Sequence, residues 1–362
     1  MSSEPRAYPL RRPDGHRPPV PRWHLVLGED VESVATAYIG VQPHFYDSGT
    51  VRAVEGITAA IEAWLAGDED SRPLASERFK HLDGDDAPEA RIWVCYWDDP
   101  EQSKNGLQKL DLASIFAHLA PENQRRIGLW SESFATPTTR LETNYSGLDY
   151  LPGLARLPGA STQEHTLSAY WGAARDRIPS SAHDLFKKDD AAERTTVEAR
   201  PKGLGQHLVG TNYDNMVHIR SGQFWENCGV EETESYEKHL EPTLRTGLTY
   251  LWENRKDGGA MGLRFLGNTD AMGHVRKETC GAGFFTDLHS LEEWSRRHRS
   301  HLAIYLGAIK HAKTFGDSRK FRTWHEVSVL KRGEAAFEYI NCLPTTGVVR
   351  FVPLDVVYDL FC

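Results

Sequence analysis

The chain has 362 residues, with 42 Lys and Arg against 51 Asp and Glu, a formal net charge of −9. A mildly acidic chain lacks the basic footprint of a nucleic-acid binder, and no apolar run approaches the roughly 18 to 20 residues needed to span a bilayer, so nucleic-acid and membrane partners are excluded. A hydrophobic fraction of 40% and a charged fraction of 26% are those of a globular protein, and at about 100 to 200 residues per domain the length predicts two domains or one duplicated unit.

Met1 to Arg22 holds six prolines and five arginines. Proline favours extended backbone and removes donors, so this stretch is expected to be an arm lying on the surface or on a partner subunit. It lacks the apolar core of a secretory signal. The cysteines at 95, 228, 280, 342 and 362 never form CxxC, which speaks against a disulfide framework or zinc knuckle and for a reducing cytoplasm. Trp23 to Leu27 and Ser33 to Gln42 read as short extended segments. Thr50 to Leu65 reads as a helix, with Val54, Ile57, Ile61 and Trp64 at three- and four-residue spacing. Ala66 to Glu89, rich in Gly, Asp, Ser and Pro, is expected to be a long loop. Arg91 to Trp97 is β-branched and aromatic, the mark of a buried strand. Between Asp98 and Asn144 only a short helix near Leu107 to Leu119 is legible, the type of Thr166 to Arg177 is ambiguous, and Lys187 to Glu198 is charged and expected to be exposed.

Gln206 to Arg220 reads as one strand, followed by a helical stretch between Glu231 and Asn254. Pro242 either kinks that stretch or stands in the first turn of a restarted helix. Gly262 to Gly267 and Gly281 to Phe285 are strands. Ser290 to Phe315 is expected to be the longest helix, opened by the capping-box pattern Ser290-Leu-Glu-Glu293. Arg322 to Lys331 and Ala335 to Asn341 close the chain as strands. The C-terminal half thus runs β-α-β-β-α-β, and the N-terminal half shows a vaguer version of the same order. The expected organisation is an arm (1–22) and two packed α+β halves, 23–200 and 201–362.

The common motifs are absent. Gly203-Leu-Gly205 lacks the third glycine of a dinucleotide fingerprint, and there is no GK[ST] loop, HExxH or GxSxG. No CxxCH attaches a covalent haem. What remains is a set of polar residues on apolar faces. Along the last long helix, Leu291, Trp294, His298, His301, Tyr305 and Ala308 follow one face. A neutral imidazole there can ligate a metal or be a hydrogen-bonded core residue, and periodicity does not choose between His298 and His301. In the strand from Phe321 to Leu330, His325 shares a face with Thr323, Val327 and Val329, while Trp324, Glu326 and Ser328 point the other way. His325 there suits acid–base work near neutrality. Val217, Ile219 and Ser221 share a face, and Gly222 after them would let a ligand approach the backbone. Arg175 and Arg177 each could anchor a polar ligand group. A serine, histidine and acid could build a hydrolase triad, but no nucleophile elbow is present.

The blocks Tyr38-Ile-Gly-Val-Gln42, Glu142-Thr143, Tyr170-Trp-Gly172 with Arg177, Asp214-Asn215, Ile219-Arg-Ser-Gly-Gln223, Ser300-His-Leu302, His325-Glu-Val-Ser-Val329 and Tyr339-Ile-Asn-Cys342 run in order along nearly the whole chain after the arm. In these the sequence resembles the aldoxime dehydratases, including the phenylacetaldoxime dehydratases. The resemblance implies non-covalent haem b, active as ferrous iron, and conversion of aldoximes, R–CH=N–OH, to nitriles and water. It assigns His301 rather than His298 as the proximal iron ligand and His325 as the distal acid that protonates the hydroxyl of an oxime bound through nitrogen. Ser221 and Arg177 match the pair that positions that hydroxyl, and Glu142 a carboxylate supporting His325. It also implies a homodimer of the dimeric α/β-barrel type, in which two ferredoxin-like halves form an elliptical β-barrel flanked by helices. Two other classes stay in play: a non-catalytic haem carrier or sensor, which needs His301 alone, and a peroxidase-like haem oxidoreductase.

Overall fold

The computed structural model describes residues 5–190 and 202–361. Its first part runs β1 (Trp23–Val26), β2 (Ser33–Pro43), α1 (Ser48–Leu65), β3 (Ala75–Gly84), β4 (Arg91–Trp97), α2 (Pro100–Leu110), α3 (Leu112–Ala117), α4 (Pro121–Gln124) and β5 (Ile127–Pro137). Then come β6 (Leu141–Tyr145), β7 (Ser161–Glu164), α5 (Ala173–Arg177) and β8 (Gln206–Thr211). The second part holds β9 (Met216–Phe224), α6 (Val230–Ser235), α7 (Glu241–Glu253), α8 (Arg255–Gly258), β10 (Ala260–Thr269), β11 (Val275–Phe285), α9 (Leu288–Arg297), α10 (Arg299–Phe315), β12 (Arg322–Leu330), β13 (Ala335–Ile340) and β14 (Asp355–Asp359).

Local chemistry sets the element ends. The Asp47 carboxylate accepts from the N–H groups of Gly49 and Thr50 and starts α1, which buries Val54, Ile57 and Ile61 at helical spacing. Pro242 stands in the first turn of α7, after a turn of π-helix at Tyr236–Leu240, so the helix restarts there. The helix expected over Ser290 to Phe315 is two helices. His298 has extended backbone (φ −81°, ψ 129°) and caps α10, its ring accepting from the Ser300 N–H. The capping box at Ser290 is not formed: Asp287 caps α9 by accepting from the Ser290 N–H at 2.8 Å.

Each half has the order β-α-β-β-α-β. The first half pairs as β5-β2-β4-β3 and the second as β10-β11-β9-β12, the ferredoxin-like arrangement twice, joined where β3 pairs β10. Among the described residues this α+β chain therefore carries one sheet of 14 strands, in the order β14-β8-β13-β5-β2-β4-β3-β10-β11-β9-β12-β6-β1-β7, every pair antiparallel. Chain before and after position 200 is interleaved: β6, β1 and β7 extend the second half, and β8, β13 and β14 the first. The sheet rolls on itself, because side chains from distant strands meet. Arg264 of β10 binds Glu132 of β5 at 2.7 and 2.8 Å, and the Tyr96 hydroxyl of β4 donates to Glu326 of β12 at 3.2 Å. The elliptical barrel expected from the resemblance corresponds to this rolled sheet, whose hydrogen-bonded order runs between two edges, β14 and β7.

The interior of the roll packs Tyr38, Phe79, Trp130, Met216, Phe284 and Phe337. Helices cover the outside. α1, α2 and α3 lie against Ile39, Trp93 and Trp97, whereas α7 and α9 lie against Val217, Phe265, Val327 and Val329.

Several expectations need correction. The expected loop at 66–89 contains β3, and the unparsed stretch from 98 to 144 contains α2, β5 and most of β6. The strand expected over Gln206 to Arg220 is two strands, β8 and β9, and β14 follows the strands expected to be last. The arm lies on its own chain: Tyr8 N–H donates to the Ala182 carbonyl at 3.0 Å and His16 Nε2 meets the Ser168 carbonyl at 2.8 Å. Most of the stretch 187–198 lies outside the described residues. No helix among the described residues is long and apolar enough to cross a membrane.

Candidate functional site

The site forms on the helix-covered face of β9, β12 and β6. Side chains alternate along a strand, so Ser221, His325 and Val327 face the helices while Arg220, Trp324 and Glu326 face the interior. His325 stands directly opposite Ser221 on β9 and opposite Asn144 on β6, with Glu142 opposite Val327. Strand register alone therefore gathers Ser221, His325, Asn144 and Glu142.

Arg177, the last residue of α5, closes over them. Its Nε and Nη2 meet Glu142 Oε1, and its Nη1 donates to the Leu167 carbonyl at 2.5 Å. Glu142 is completely buried, and Arg177 nearly so. Burial alone would raise the Glu142 pKa, but the Arg177 and His325 charges outweigh it and hold the carboxyl below its ordinary range. It is a carboxylate at neutral pH.

His325 Nε2 lies 2.9 Å from Glu142 Oε1 and 3.1 Å from Arg177 Nη2. One nitrogen cannot serve both at once. Protonated, Nε2 donates to Glu142; deprotonated, it accepts from Arg177. Both protonation states find a partner without movement, an arrangement suited to a proton donor that must also take a proton back.

Arg175, by contrast, is committed elsewhere. Its Nε and Nη2 bind Glu292 at 3.1 and 2.7 Å, and its Nη1 donates to the Leu185 carbonyl at 2.7 Å, clamping α5 to α9. Gly222 does not open the backbone to a ligand. A Cβ there would lie 2.2 Å from the indole of Trp324, so its missing side chain makes room for that ring.

The two histidines near the start of α10 divide in the same way. His298 stacks on Tyr250 at 3.5 Å, and its Nδ1 is 2.7 Å from Ser300 Oγ, so capping and packing occupy it. His301 packs edge-on against Trp294 at 4.8 Å, and its Nδ1 is buried with no partner at hydrogen-bonding geometry. Burial pushes its pKa down to about 4, reinforced by His325, with the Ser295 backbone opposing. His301 is thus held neutral by burial, within electrostatic reach of His325. Among the described residues no three His, Cys, Asp or Glu converge on a metal position. A lone neutral imidazole is the donor set of a metal already held by a macrocycle, and His301 fits an axial haem ligand.

Two further groups belong to this cluster and escaped the sequence reading. His165 Nδ1 accepts from the Leu167 N–H at 3.2 Å, which leaves Nε2–H to donate to Asn144 Oδ1 at 3.1 Å. His24 stacks on His165 at 5.5 Å. These residues sit at the edges of very short strands, where no periodic pattern singles them out. A cleft of about 440 Å³ beside α1, lined by Tyr46, Glu62, Arg78, Trp93 and Met272, contains none of the site residues.

Comparison with known proteins identifies the family. The family model for haem-containing dehydratases matches residues 37–348. The phenylacetaldoxime dehydratase of Bacillus sp. (strain OxB-1) is 29% identical over 94% of this chain and 93% of its own length. An aliphatic aldoxime dehydratase of Rhodococcus globerulus is 30% identical over 96% of this chain and 95% of its own. A crystal structure of an aldoxime dehydratase in complex with butyraldoxime superposes with a TM-score of 0.85 at 29% identity, covering 96% of this chain and 94% of that one.

Proposed function

Since the chain belongs to the haem-containing dehydratase family, we propose that it is an aldoxime dehydratase, a haem-dependent lyase that converts R–CH=N–OH to R–C≡N and water. The observation that carries the reading is the His325 Nε2 atom poised between Glu142 and Arg177, on a face that also presents Ser221, with the neutral His301 in electrostatic reach. Haem b held by His301 would supply a ferrous iron able to take the oxime nitrogen and feed electron density toward the N–O bond.

The residues of the chain supply the rest. An oxime hydroxyl leaves poorly as hydroxide and well as water. His325 delivers a proton from Nε2, which its contact with the Glu142 carboxylate orients, to the oxime oxygen as the N–O bond breaks. Arg177 Nη2 then satisfies the vacated lone pair. The aldehydic C–H proton returns to Nε2, so acid and base are one atom and the balance is R–CH=N–OH to R–C≡N plus H2O. Such acid–base help contributes roughly 10² to 10⁴ in rate. Ser221 Oγ and Arg177 orient the hydroxyl toward His325, a positioning effect. Burial of Glu142 and Arg177 keeps these charges out of water, where they act more strongly.

The proposal includes a cytoplasmic homodimer. The free state of Cys95, Cys228, Cys280 and Cys342 accords with a reducing compartment. The edge strand β14 leaves Val356, Val357 and Tyr358 about half exposed, a surface that a second copy can cover. The deciding experiment is nitrile formation from aryl and alkyl aldoximes by haem-loaded chain reduced anaerobically, with oxidised chain as control. Nitrile from the reduced form alone is expected. No nitrile from any of them, with haem bound, would overturn the reading in favour of a haem carrier or a peroxidase-like enzyme.

A further inference from the structure

The N-terminal arm ends in Arg22, whose guanidinium meets no carboxylate among the described residues. Its course is fixed by Asp176, whose Oδ2 accepts from the N–H groups of Arg11 and Arg12 at 2.8 and 3.2 Å and from the Tyr170 hydroxyl at 2.7 Å. The arm then enters β1, where Trp23 pairs with Tyr145 of β6 and Glu164 of β7, and the Arg22 carbonyl accepts from the His165 N–H at 3.0 Å. Arg22 is thereby held beside the strand that carries Glu142 and Asn144.

Its side chain has one hydrogen bond, from Nη1 to the neighbouring Pro21 carbonyl at 3.0 Å. Arg11, on the same arm, reaches Glu292; Arg22 forms no ion pair among the described residues. Arg319 and Arg177 bear on it as like charges, with Tyr305 opposing, and its pKa is pushed down to about 10 by burial first and these cations next. Arg319 stands next to it by geometry as well, because its Nη2 donates to the carbonyl of Ser146, one residue beyond the strand partner of Trp23. Tyr305 lies four residues after His301 on α10, about one helical turn along, with its ring against Trp171 at 5.7 Å. Arg177 is paired with Glu142, and the Glu232 and Asp149 charges reach Arg319; Arg22 has neither, and a half-buried guanidinium left so is costly unless an anion completes it.

We propose that Arg22, with Arg319 beside it, binds a carboxylate of the haem, so that the arm borders the carboxylate edge of a haem held by His301. The assignment rests on the reading that His301 holds haem. It follows from charge: the only anionic groups of a haem held by His301 would be its carboxylates, and Tyr305, one turn from His301, is among the groups that bear on Arg22. It also gives the arm a purpose, since its hydrogen bonds to α5 deliver Arg22 to that edge.

The test uses the full-length chain loaded either with haem or with haem dimethyl ester, whose carboxylates are masked, and follows loss of each to an excess of haem-scavenging apoglobin by absorbance. A charge-assisted hydrogen bond predicts that wild type keeps haem roughly ten- to a hundredfold longer than the diester. Arg22→Gln should lose most of that discrimination, holding both forms about as wild type holds the diester, and Arg22→Lys should restore part of it. Wild-type chain that keeps the diester as long as haem overturns the assignment without any variant, as does Arg22→Gln with undiminished discrimination. His301→Ala keeps the two failures apart: if it holds haem as well as wild type, the reading of His301 falls instead.

Discussion

Glu326, on the interior face of β12, is a carboxyl whose environment keeps it protonated near neutrality. The Leu154 N–H donates to its Oε1 at 2.7 Å and the Tyr96 hydroxyl to its Oε2 at 3.2 Å, but the nearby Arg220 directs its Nη1 to Glu77 at 2.6 Å. Burial raises the Glu326 pKa to about 7, with Arg220 opposing. From an ordinary 4.5 to about 7 is about 2.5 pH units, and at about 1.36 kcal/mol per unit the total is about 3 kcal/mol. The sign follows from linkage. The folded state holds this proton more tightly than the unfolded one, so the stability it contributes is fully present below about pH 4.5 and is lost as pH rises through about 7. Glu326→Gln stays neutral in both states and keeps an oxygen for Leu154. It should match wild type at pH 4.5 and exceed it by about 3 kcal/mol at pH 8, read as a rise of several degrees in Tm in paired thermal scans. Glu278, also raised to about 7 by burial and by Glu77, titrates in the same window, so the variant should flatten part of the wild-type slope rather than all of it. A Gln variant destabilised equally at pH 4.5 and pH 8 would refute the reasoning, for it would mean that Glu326 is ionised and paired with Arg220.

Three further outcomes are expected. His301→Ala should lose the haem absorption band, whereas His325→Ala should keep it and lose roughly 10² to 10⁴ in turnover; undiminished turnover in the latter would sink the proton-transfer assignment. Glu142→Gln leaves Arg177 buried without its counter-charge, which typically costs about 3 to 5 kcal/mol. Because the Glu142 pKa is depressed, the wild-type advantage is present above the ordinary carboxylate range and fades as pH falls through the lower folded value, which thermal scans from pH 7 downward would follow. Asp176→Ala frees the arm from α5, so brief trypsin treatment should cut after Arg11 well before the wild-type chain is nicked; equal cutting would mean that Asp176 does not anchor the arm.

How far the fold was legible depended on what faces the interior. Arg91 to Trp97 and Thr50 to Leu65 announce themselves, because their buried positions are apolar. β3 does not, although burial alternates along it: its buried set is Ala75, Glu77, Phe79 and His81. Half of that face is polar because it lines the charged interior of the roll, with Glu77 bound to Arg220. β5 hides for the same reason, since its buried Glu132 takes the guanidinium of Arg264. A binary pattern registers hydrophobic alternation and misses a strand whose inward residues are ion-paired. The same limit held for the site. Spacing left His298 with His301 and Arg175 with Arg177 as open alternatives, and what separates each pair is tertiary: His298 caps α10, and Arg175 is bound by Glu292.

The register of the sheet also shows how the two halves differ at the proposed site. In the first half Gly40 of β2 stands opposite Trp130 of β5, where a Cβ on the glycine would lie 2.0 Å from the indole. In the second half Gly222 of β9 stands opposite Trp324 of β12, with the corresponding distance 2.2 Å. A guanidinium covers each indole, Arg264 at 4.0 Å and Arg220 at 4.5 Å, and a buried glutamate follows each tryptophan by two residues, Glu132 and Glu326. The interior face thus repeats, Trp-x-Glu against glycine, as expected of one duplicated unit. One residue along, on the helix-covered face, the repeat breaks. The first half pairs Ile39 with Ser131, where the second pairs Ser221 with His325. Strand alternation allows this divergence, because a change on one face leaves the packing of the other intact. The duplicated interior fixes where the two strands lie, and of the two pairs β9 and β12 alone hold a hydroxyl and an imidazole on the outer face, beside the β6 carboxylate and the α10 imidazole of the proposed site.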